Sequence, residues 1–248
     1  MSIKSILVTQ PSPETEKNPY SDLAKKHKLK IDFREFIQIE GVDVKEFRKD
    51  RINIPDYSAI ILTSRNAVDH FFRVCKEIRY TVPDTLKYFC ISESTAYYLQ
   101  KYVVFRKRKI FHGKQTFSEL VDLIKKHKEE NFLLPCTDIH KQEITTLLDQ
   151  NNIKYNKAIL YRTVASDLSD LADIKYDMLV FFSPSGIESL LMNFPKFKQD
   201  STKIAAFGAT TATAVKQAGL RLDIHAPQPM FPSMTMAIEH FIKNNKEK

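Results

Sequence analysis

The chain carries nearly the same segment twice. Ala59-Ile60-Ile61-Leu62-Thr63-Ser64, running on into Arg65-Asn66-Ala67-Val68, is echoed by Met178-Leu179-Val180-Phe181-Phe182-Ser183, running on into Pro184-Ser185-Gly186-Ile187. Each copy reads as an apolar strand, hydroxyl residues at its end, then a helix. Ile91-Ser92-Glu93-Ser94-Thr95-Ala96 likewise reappears as Phe207-Gly208-Ala209-Thr210-Thr211-Ala212, in the same order and at a similar separation. This duplication implies two equivalent lobes whose strands end in Ser/Thr-rich turns that open helices. Such turns present unpaired backbone N–H groups and hydroxyls, which suits a ligand carrying carboxylates or phosphates.

A chain of 248 residues accommodates two such lobes, each of about 120 residues and able to bury its own core. An apolar content of 43% and a charged content of 27% fit a soluble globular protein, and no apolar run approaches the roughly 20 residues of a membrane span. The N-terminus goes into a strand without a signal-peptide pattern, so the chain reads as cytosolic. Cys75, Cys90 and Cys136 lie far apart with no CxxC pair. They suggest apolar packing rather than a disulfide framework or zinc site. The histidines show no HxxxH or HExxH spacing, so no metal is expected.

The net charge of +8 and pI near 9.2 favour an anionic partner, although charge alone does not choose among nucleic acid, membrane surface and a polyanionic metabolite. The densest run, Arg106-Lys107-Arg108-Lys109, falls within a predicted strand from Val103 to Phe111 and reads as an exposed edge guarded by cations. Lys25-Lys26-His27-Lys28 and Lys125-Lys126-His127-Lys128 fall at predicted helix ends, where cations complement the dipole. No nucleic-acid motif accompanies them.

Strands and helices alternate throughout, which predicts an α/β fold with mainly parallel sheets. Strands are expected at Ile6–Thr9, Ile31–Ile39, Ser58–Thr63, Tyr88–Ser92, Val103–Phe111, Phe132–Pro135, Ile153–Val164, Met178–Phe182, Ile204–Phe207 and Leu222–His225. Helical stripes fall at Ala67, Val68, Phe71, Phe72 and Cys75, at Leu120, Val121, Leu123 and Ile124, and at Ile144, Leu147 and Leu148. The repeat gains a third member when the chain is read cyclically, because Ser5 to Ile37 resembles Asn131 to Tyr161 in its strand, helix and long second strand. The N-terminal unit then completes a lobe with the C-terminal third. The expected division is 1–35 with 166–248 as a discontinuous first lobe, 43–157 as the second, and 36–42 and 158–165 as linkers pairing in a short two-stranded hinge.

In open α/β sheets ligands collect beyond the carboxyl ends of the strands, where all of these turns fall. With the lobes facing each other, the turns would line one cleft. Thr63, Ser64, Ser183 and Ser185 follow one strand of each copy, and Ser92, Ser94, Thr95, Gly208, Thr210 and Thr211 follow the next. Each hydroxyl taken singly reads equally as an N-cap, and Thr95 and Thr211 are expected to act as caps. Tyr161, in the hinge strand with Arg162 and Thr163, is either a packed strand tyrosine or a phenol facing the cleft, able to donate a proton or hold an anion. Arg65 is placed to meet a carboxylate or to sit at the surface of a helix start. No Ser-His-Asp order, nucleophile elbow, P-loop or GxGxxG is present. Such a polar, anion-seeking site without a strong base fits binding, or a reaction whose substrate is already reactive.

These residues resemble the uroporphyrinogen-III synthase family. The resemblance rests on Leu62-Thr63-Ser64 leading to Ala67-Val68, on Tyr161-Arg162-Thr163, on Phe181-Phe182-Ser183-Pro184-Ser185-Gly186 and on Gly208-Ala209-Thr210-Thr211-Ala212, and it covers essentially the whole chain. It implies two flavodoxin-like lobes joined by a two-stranded ladder. It also implies a lyase that cyclises hydroxymethylbilane, a linear tetrapyrrole rich in carboxylates, with inversion of the last pyrrole ring through a spiro intermediate. Loss of the substrate hydroxyl makes a reactive azafulvene, so catalysis rests on orientation. Carried across, Tyr161 would assist hydroxyl departure as a proton donor, Thr95 and Thr211 would sit at facing helix starts, and Thr63, Ser64, Ser183, Ser185 and Gly186 would hold carboxylates. No metal or organic cofactor is implied. The chain is expected to work as a monomer on this small molecule, without nucleic acid or membrane. The family's glycine before the first-copy threonine is Ser92 here, and Pro227 to Pro232 form an extended loop. The alternative is a non-catalytic two-lobed binder of a tetrapyrrole or polyanion.

Overall fold

In chain order the elements are β1 (Ser5–Val8), α1 (Pro19–His27), β2 (Lys30–Phe33), β3 (Ile37–Gly41), α2 (Val44–Phe47), β4 (Ala59–Leu62), α3 (Arg65–Glu77), β5 (Lys87–Cys90), α4 (Glu93–Leu99), β6 (Ile110–His112), α5 (Phe117–Lys125), β7 (Phe132–Thr137), α6 (Gln142–Gln150), β8 (Tyr155–Ala165), β9 (Met178–Phe181), α7 (Pro184–Asn193), β10 (Lys203–Phe207), α8 (Ala209–Gln217), β11 (Ile224–Ala226) and α9 (Met234–Lys246). This computed structural model describes residues 3–15, 17–114, 116–138, 142–171 and 175–246. Residues 1–38 with 164–248 form one compact unit and residues 39–163 a second, so the chain passes between units inside β3 and again inside β8.

The first unit is built on a five-stranded sheet in the order β11-β10-β9-β1-β2. Its neighbouring strands are parallel. The second unit carries the order β3-β8-β7-β4-β5-β6, parallel from β8 to β6. Matching β9, β10, β11, β1 and β2 with β4, β5, β6, β7 and β8 makes the two orders identical apart from β3, which the second adds beside β8. Read cyclically from β1, the first is the 2-1-3-4-5 order of flavodoxin-like folds.

Alternation along the strands puts a core on each sheet face. In β4, Ile60 and Leu62 pack with Val68, Phe71 and Val74 of α3, whereas Ala59 and Ile61 pack with Leu120, Val121 and Ile124 of α5. In β1, Ile6 and Val8 meet Leu23 of α1 and Ile238 of α9, while Leu7 meets Ile187 and Leu190 of α7 and Val215 of α8. Complete burial of a side chain such as Phe71 contributes about 2 kcal/mol. Both faces are apolar because both are covered, as parallel sheets require. The cysteines are buried packing residues, as their spacing suggested.

Two expected strands are shorter than their apolar content suggested. Ile31–Ile39 is broken: Arg34 N–H donates to the Val8 carbonyl at the end of the β1–β2 ladder, and Phe36 then turns into the core, edge-on to Phe181. The chain resumes as β3 beside β8, where Val42 N–H donates to the Leu160 carbonyl and Ser166 N–H to the Phe36 carbonyl, so these two strands run in opposite directions. Arg73 fastens this edge by donating to the carbonyls of Val42 and Leu160 at 2.9 and 3.0 Å. A Cβ on Gly41 would lie 2.8 Å from the Arg73 guanidinium, so the close approach needs glycine.

Val103–Phe111 is likewise strand only from Ile110. The Arg106 carbonyl accepts from Lys109 and Ile110 N–H, making the basic run a turn before β6 rather than an edge strand. The other two basic clusters do fall at the ends of α1 and α5, and Pro227 to Pro232 precede α9 as a loop.

Candidate functional site

Every helix that follows a parallel strand begins at the carboxyl edge of its sheet. In the second unit, β4 ends at Leu62, Thr63 is half-buried, and Ser64 takes extended backbone angles (φ −163°, ψ 167°) as the N-cap of α3. Its Oγ accepts Ala67 N–H at 3.0 Å. The Tyr161 hydroxyl stands 3.3 Å from the same oxygen, 97 residues along the chain. A register shift between Cys136 and Thr137 sets Tyr161 opposite Thr137, at the carboxyl end of β7.

Tyr161 is only 6% exposed. Burial pushes its phenol above the ordinary value, and the Ser64 hydroxyl offsets part of that rise. The phenol therefore holds its proton at neutral pH and is a hydrogen-bond donor. His70 stacks on it with ring centroids 5.0 Å apart and planes 19° apart. The His70 Nδ1 accepts from Arg73 Nε at 3.1 Å, and burial together with the Arg73 charge lowers the histidine's pKa. Sequence reasoning missed His70, because its partner is fixed by sheet order rather than by local spacing. Arg65 is exposed, with its guanidinium carbon 5.3 Å from the centre of the Tyr98 ring. Neighbouring Arg162 forks onto Glu46.

A second hydroxyl group gathers after β5. Ser92 Oγ accepts Thr95 N–H at 3.3 Å and lies 2.9 Å from Ser94 Oγ and 3.2 Å from Thr95 Oγ1. Ser92 is thus the cap of α4, whereas Thr95, the third helical residue, is buried. The expectation that Thr95 caps is corrected: the cap must precede the first turn, and Ser92 occupies that place.

In the first unit, Ser183 caps α7 through Gly186 N–H at 3.2 Å. Ser185 is half-buried and Gly186 is buried, with room for a Cβ limited by the Phe181 ring at 3.3 Å. After β10, Gly208 enters α8 at φ +87° with no side-chain cap, and its N–H donates to the Ala226 carbonyl. Thr210 is exposed. Thr211, only 1% exposed, is again the third helical residue and not the cap. The Ser92-for-glycine difference now has a conformational meaning: Ser92 sits at φ −145°, open to any residue, while Gly208 occupies a region that side chains avoid.

Thr9 and Thr137, at the ends of β1 and β7, also went unnoticed in the sequence. Thr9 donates both its N–H and its hydroxyl to the Val180 carbonyl, and Thr137 donates to Asp138 at 2.7 Å. They flank the point in each sheet where strand order reverses, the usual ligand position in open α/β sheets. The strand order needed to find that point was available only through the cyclic repeat.

The first turns of α3, α7 and α8 contain no acidic side chain, although that is where carboxylates are favoured. By contrast α1, α4 and α5 supply their own, Asp22, Glu93 and Glu119. The positive ends of α3, α7 and α8 are therefore open to a ligand's anions. Away from these edges, His127, Glu129 and Glu130 bring potential metal-ligand atoms within 4.8 Å. Lys87 Nζ already sits 2.5 Å from Glu130, supplying a cation there. No helix among the described residues is long and apolar enough to cross a membrane.

The fold and its edges define a doubly wound α/β protein of two flavodoxin-like units with hydroxyl-capped, anion-seeking helix starts. A family model described as uroporphyrinogen-III synthase HemD matches residues 18–236, and the chain belongs to that family of tetrapyrrole-forming lyases. It is 26% identical over 213 residues to a uroporphyrinogen-III synthase of Chlorobaculum parvum, covering 77% of this chain and 83% of that relative. Among solved structures, uroporphyrinogen-III synthetase from Helicobacter pylori is similar over 98% of this chain and all of that one, at 18% identity and a TM-score of 0.61. A mutant uroporphyrinogen III synthase from Thermus thermophilus is similar over 97% and 99% of the two chains, at 15% identity and a TM-score of 0.52. These structural likenesses bear out the two-lobed α/β fold.

Proposed function

We propose that this chain closes hydroxymethylbilane to uroporphyrinogen III with inversion of the terminal pyrrole ring, acting as a cytoplasmic monomer. The observation that carries this reading is the buried Tyr161 phenol, held by Ser64 at the carboxyl edge of a sheet, in a chain matched by the family model over residues 18–236. In the proposed reaction the substrate's hydroxymethyl C–O bond breaks. The hydroxyl, accepting a hydrogen bond from Tyr161, leaves as water with a proton from the solvent. The substituted α-carbon of the terminal pyrrole bonds to the azafulvenium methylene to give the spiro intermediate. The bond from that carbon to its original bridging methylene then breaks, and that methylene bonds to the ring's free α-carbon. Loss of the proton there restores the pyrrole and returns the proton taken up.

A phenol whose pKa is raised makes a poor full proton donor but a firm hydrogen-bond donor, which is what a departing hydroxyl needs. Ser64 and His70 orient it. In the second unit the helix start at Thr63 to Arg65 supplies N–H groups, and Ser92 to Thr95 supply hydroxyls, suited to substrate carboxylates; in the first unit Ser183 to Gly186 and Gly208 to Thr211 supply both. In each unit such contacts favour orientation of the substrate over chance. Three buried thiols with no disulfide suit a reducing compartment. Both faces of each sheet are covered by the chain's own helices, which supports a monomer.

The test generates hydroxymethylbilane in situ and separates isomers I and III. Formation of isomer III in proportion to added protein is the expected result. Isomer I alone would return the chain to a tetrapyrrole binder.

A further inference from the structure

One guanidinium in the second unit holds Tyr161 from two directions. Arg73 lies on α3, and its Nη2 donates to the carbonyls of Val42 and Leu160 at 2.9 and 3.0 Å. The Leu160 carbonyl belongs to the planar peptide unit that carries the Tyr161 N–H, and it also accepts from Val42 N–H. The backbone is therefore pinned immediately before the tyrosine.

The second direction is the ring face. Arg73 Nε donates to His70 Nδ1 at 3.1 Å, so neutral His70 carries its proton on Nε2, and the His70 ring stacks on the phenol ring with centroids 5.0 Å apart. The remaining nitrogen, Nη1, donates to Glu77 at 2.9 Å. All three guanidinium nitrogens are thus engaged, and only a planar fork matches such a set of acceptors. Ser64 meets the phenol at its oxygen alone. A hydrogen bond weakens steeply off line, and a misplacement of about 1 Å in a reacting group can cost on the order of a hundredfold in rate.

We infer, resting on the reading of Tyr161 as donor to the departing hydroxyl, that Arg73 is a positioning residue for the proposed cyclisation. It acts through His70 and the Leu160 carbonyl to aim the Tyr161 hydroxyl.

The test supplies freshly made hydroxymethylbilane to the full chain over a range of concentrations and measures isomer III. Arg73→Met should lower kcat about tenfold and leave KM within about twofold, the mark of an interaction that counts in the transition state. Arg73→Lys keeps the charge but not the fork; it should lower kcat less, and it carries the test if the methionine variant fails to fold. In a Tyr161→Phe background either Arg73 change should lower kcat no further, since the hydroxyl it aims is gone. His70 is faced by Asp69, Arg73 and Glu77 of its own helix and by the Tyr161 phenol. Its pKa, read by NMR titration, should rise in Arg73→Met. Parental kcat in a folded Arg73 variant, the same loss in both backgrounds, or an unmoved His70 pKa overturns the assignment. A parent that makes no isomer III sinks the cyclisation itself, and the role of Arg73 with it.

Discussion

The Tyr161 hydroxyl stands 3.3 Å from Ser64 Oγ, the oxygen that also caps α3. One serine therefore ties a strand residue of β8 to the first turn of a helix. Tyr161→Phe keeps the buried ring and the His70 stack and removes only the donor. Its unfolding midpoint should stay close to the parent's, whereas formation of isomer III should slow on the order of a hundredfold. A variant with parental turnover in the coupled assay would remove Tyr161 from the reaction.

His70 ties stability to pH. Its pKa lies below the ordinary 6.5 because burial and Arg73 disfavour the imidazolium, so the unfolded chain binds more protons in the window beneath 6.5. Stability is accordingly full above that value and falls as the pH drops toward the folded pKa. His70→Asn leaves an acceptor for Arg73 but no titrating ring. Urea midpoints from neutral to mildly acidic pH should show a shallower loss for the variant; identical slopes would assign the loss to other groups.

The paired turns after β5 and β10 should respond unequally to exchange of their capping residues. Ser92→Gly loses a cap at extended angles and costs only a few tenths of a kcal/mol, because glycine caps tolerably. Gly208→Ser forces a side chain to φ +87° and costs about 1–3 kcal/mol. No atom lies within 4 Å of a Cβ built there, so the loss is one of backbone conformation and not of space. Denaturant unfolding of both variants checks this, and equal losses would contradict it.

Ser64→Ala and Ser183→Ala each delete the side-chain acceptor at a helix start and should cost about 1 kcal/mol. Thr95→Ala and Thr211→Ala remove no cap: the first loses packing and the hydroxyl contact with Ser92 Oγ, and the second loses packing. Chemical denaturation of the four variants would separate the pairs; a larger loss at the threonines would reverse the assignment.

Burial pushes the Cys75 and Cys90 thiols up to about 12 and the Cys136 thiol up to about 11. Since the thiolate is the nucleophile, iodoacetamide at mildly alkaline pH should leave all three unmodified in the folded chain and alkylate all three in denaturant. Mass spectrometry gives the answer, and fast labelling of a native thiol would show that its surroundings open.

Local chemistry made much of this protein legible in its sequence. Apolar runs bounded by hydroxyls gave β4 and β9, helical spacing gave α3 from Ala67 to Cys75, and the duplicated order indicated two lobes with parallel sheets. In these segments neighbouring residues carry both the periodicity and the cap, so no distant partner is needed to fix them. Tertiary structure decided what depended on pairing across the chain. It broke the expected strand at Phe36, because that ring finds its core beside Phe181, and it made Arg106 to Lys109 a turn. It set Ser92 rather than Thr95 as the cap, and it brought Ser64, His70 and Tyr161 together through the order of β4, β7 and β8 and the shift after Cys136. Backbone ladders and side-chain contacts between remote segments follow strand order and register, which spacing along the sequence does not contain.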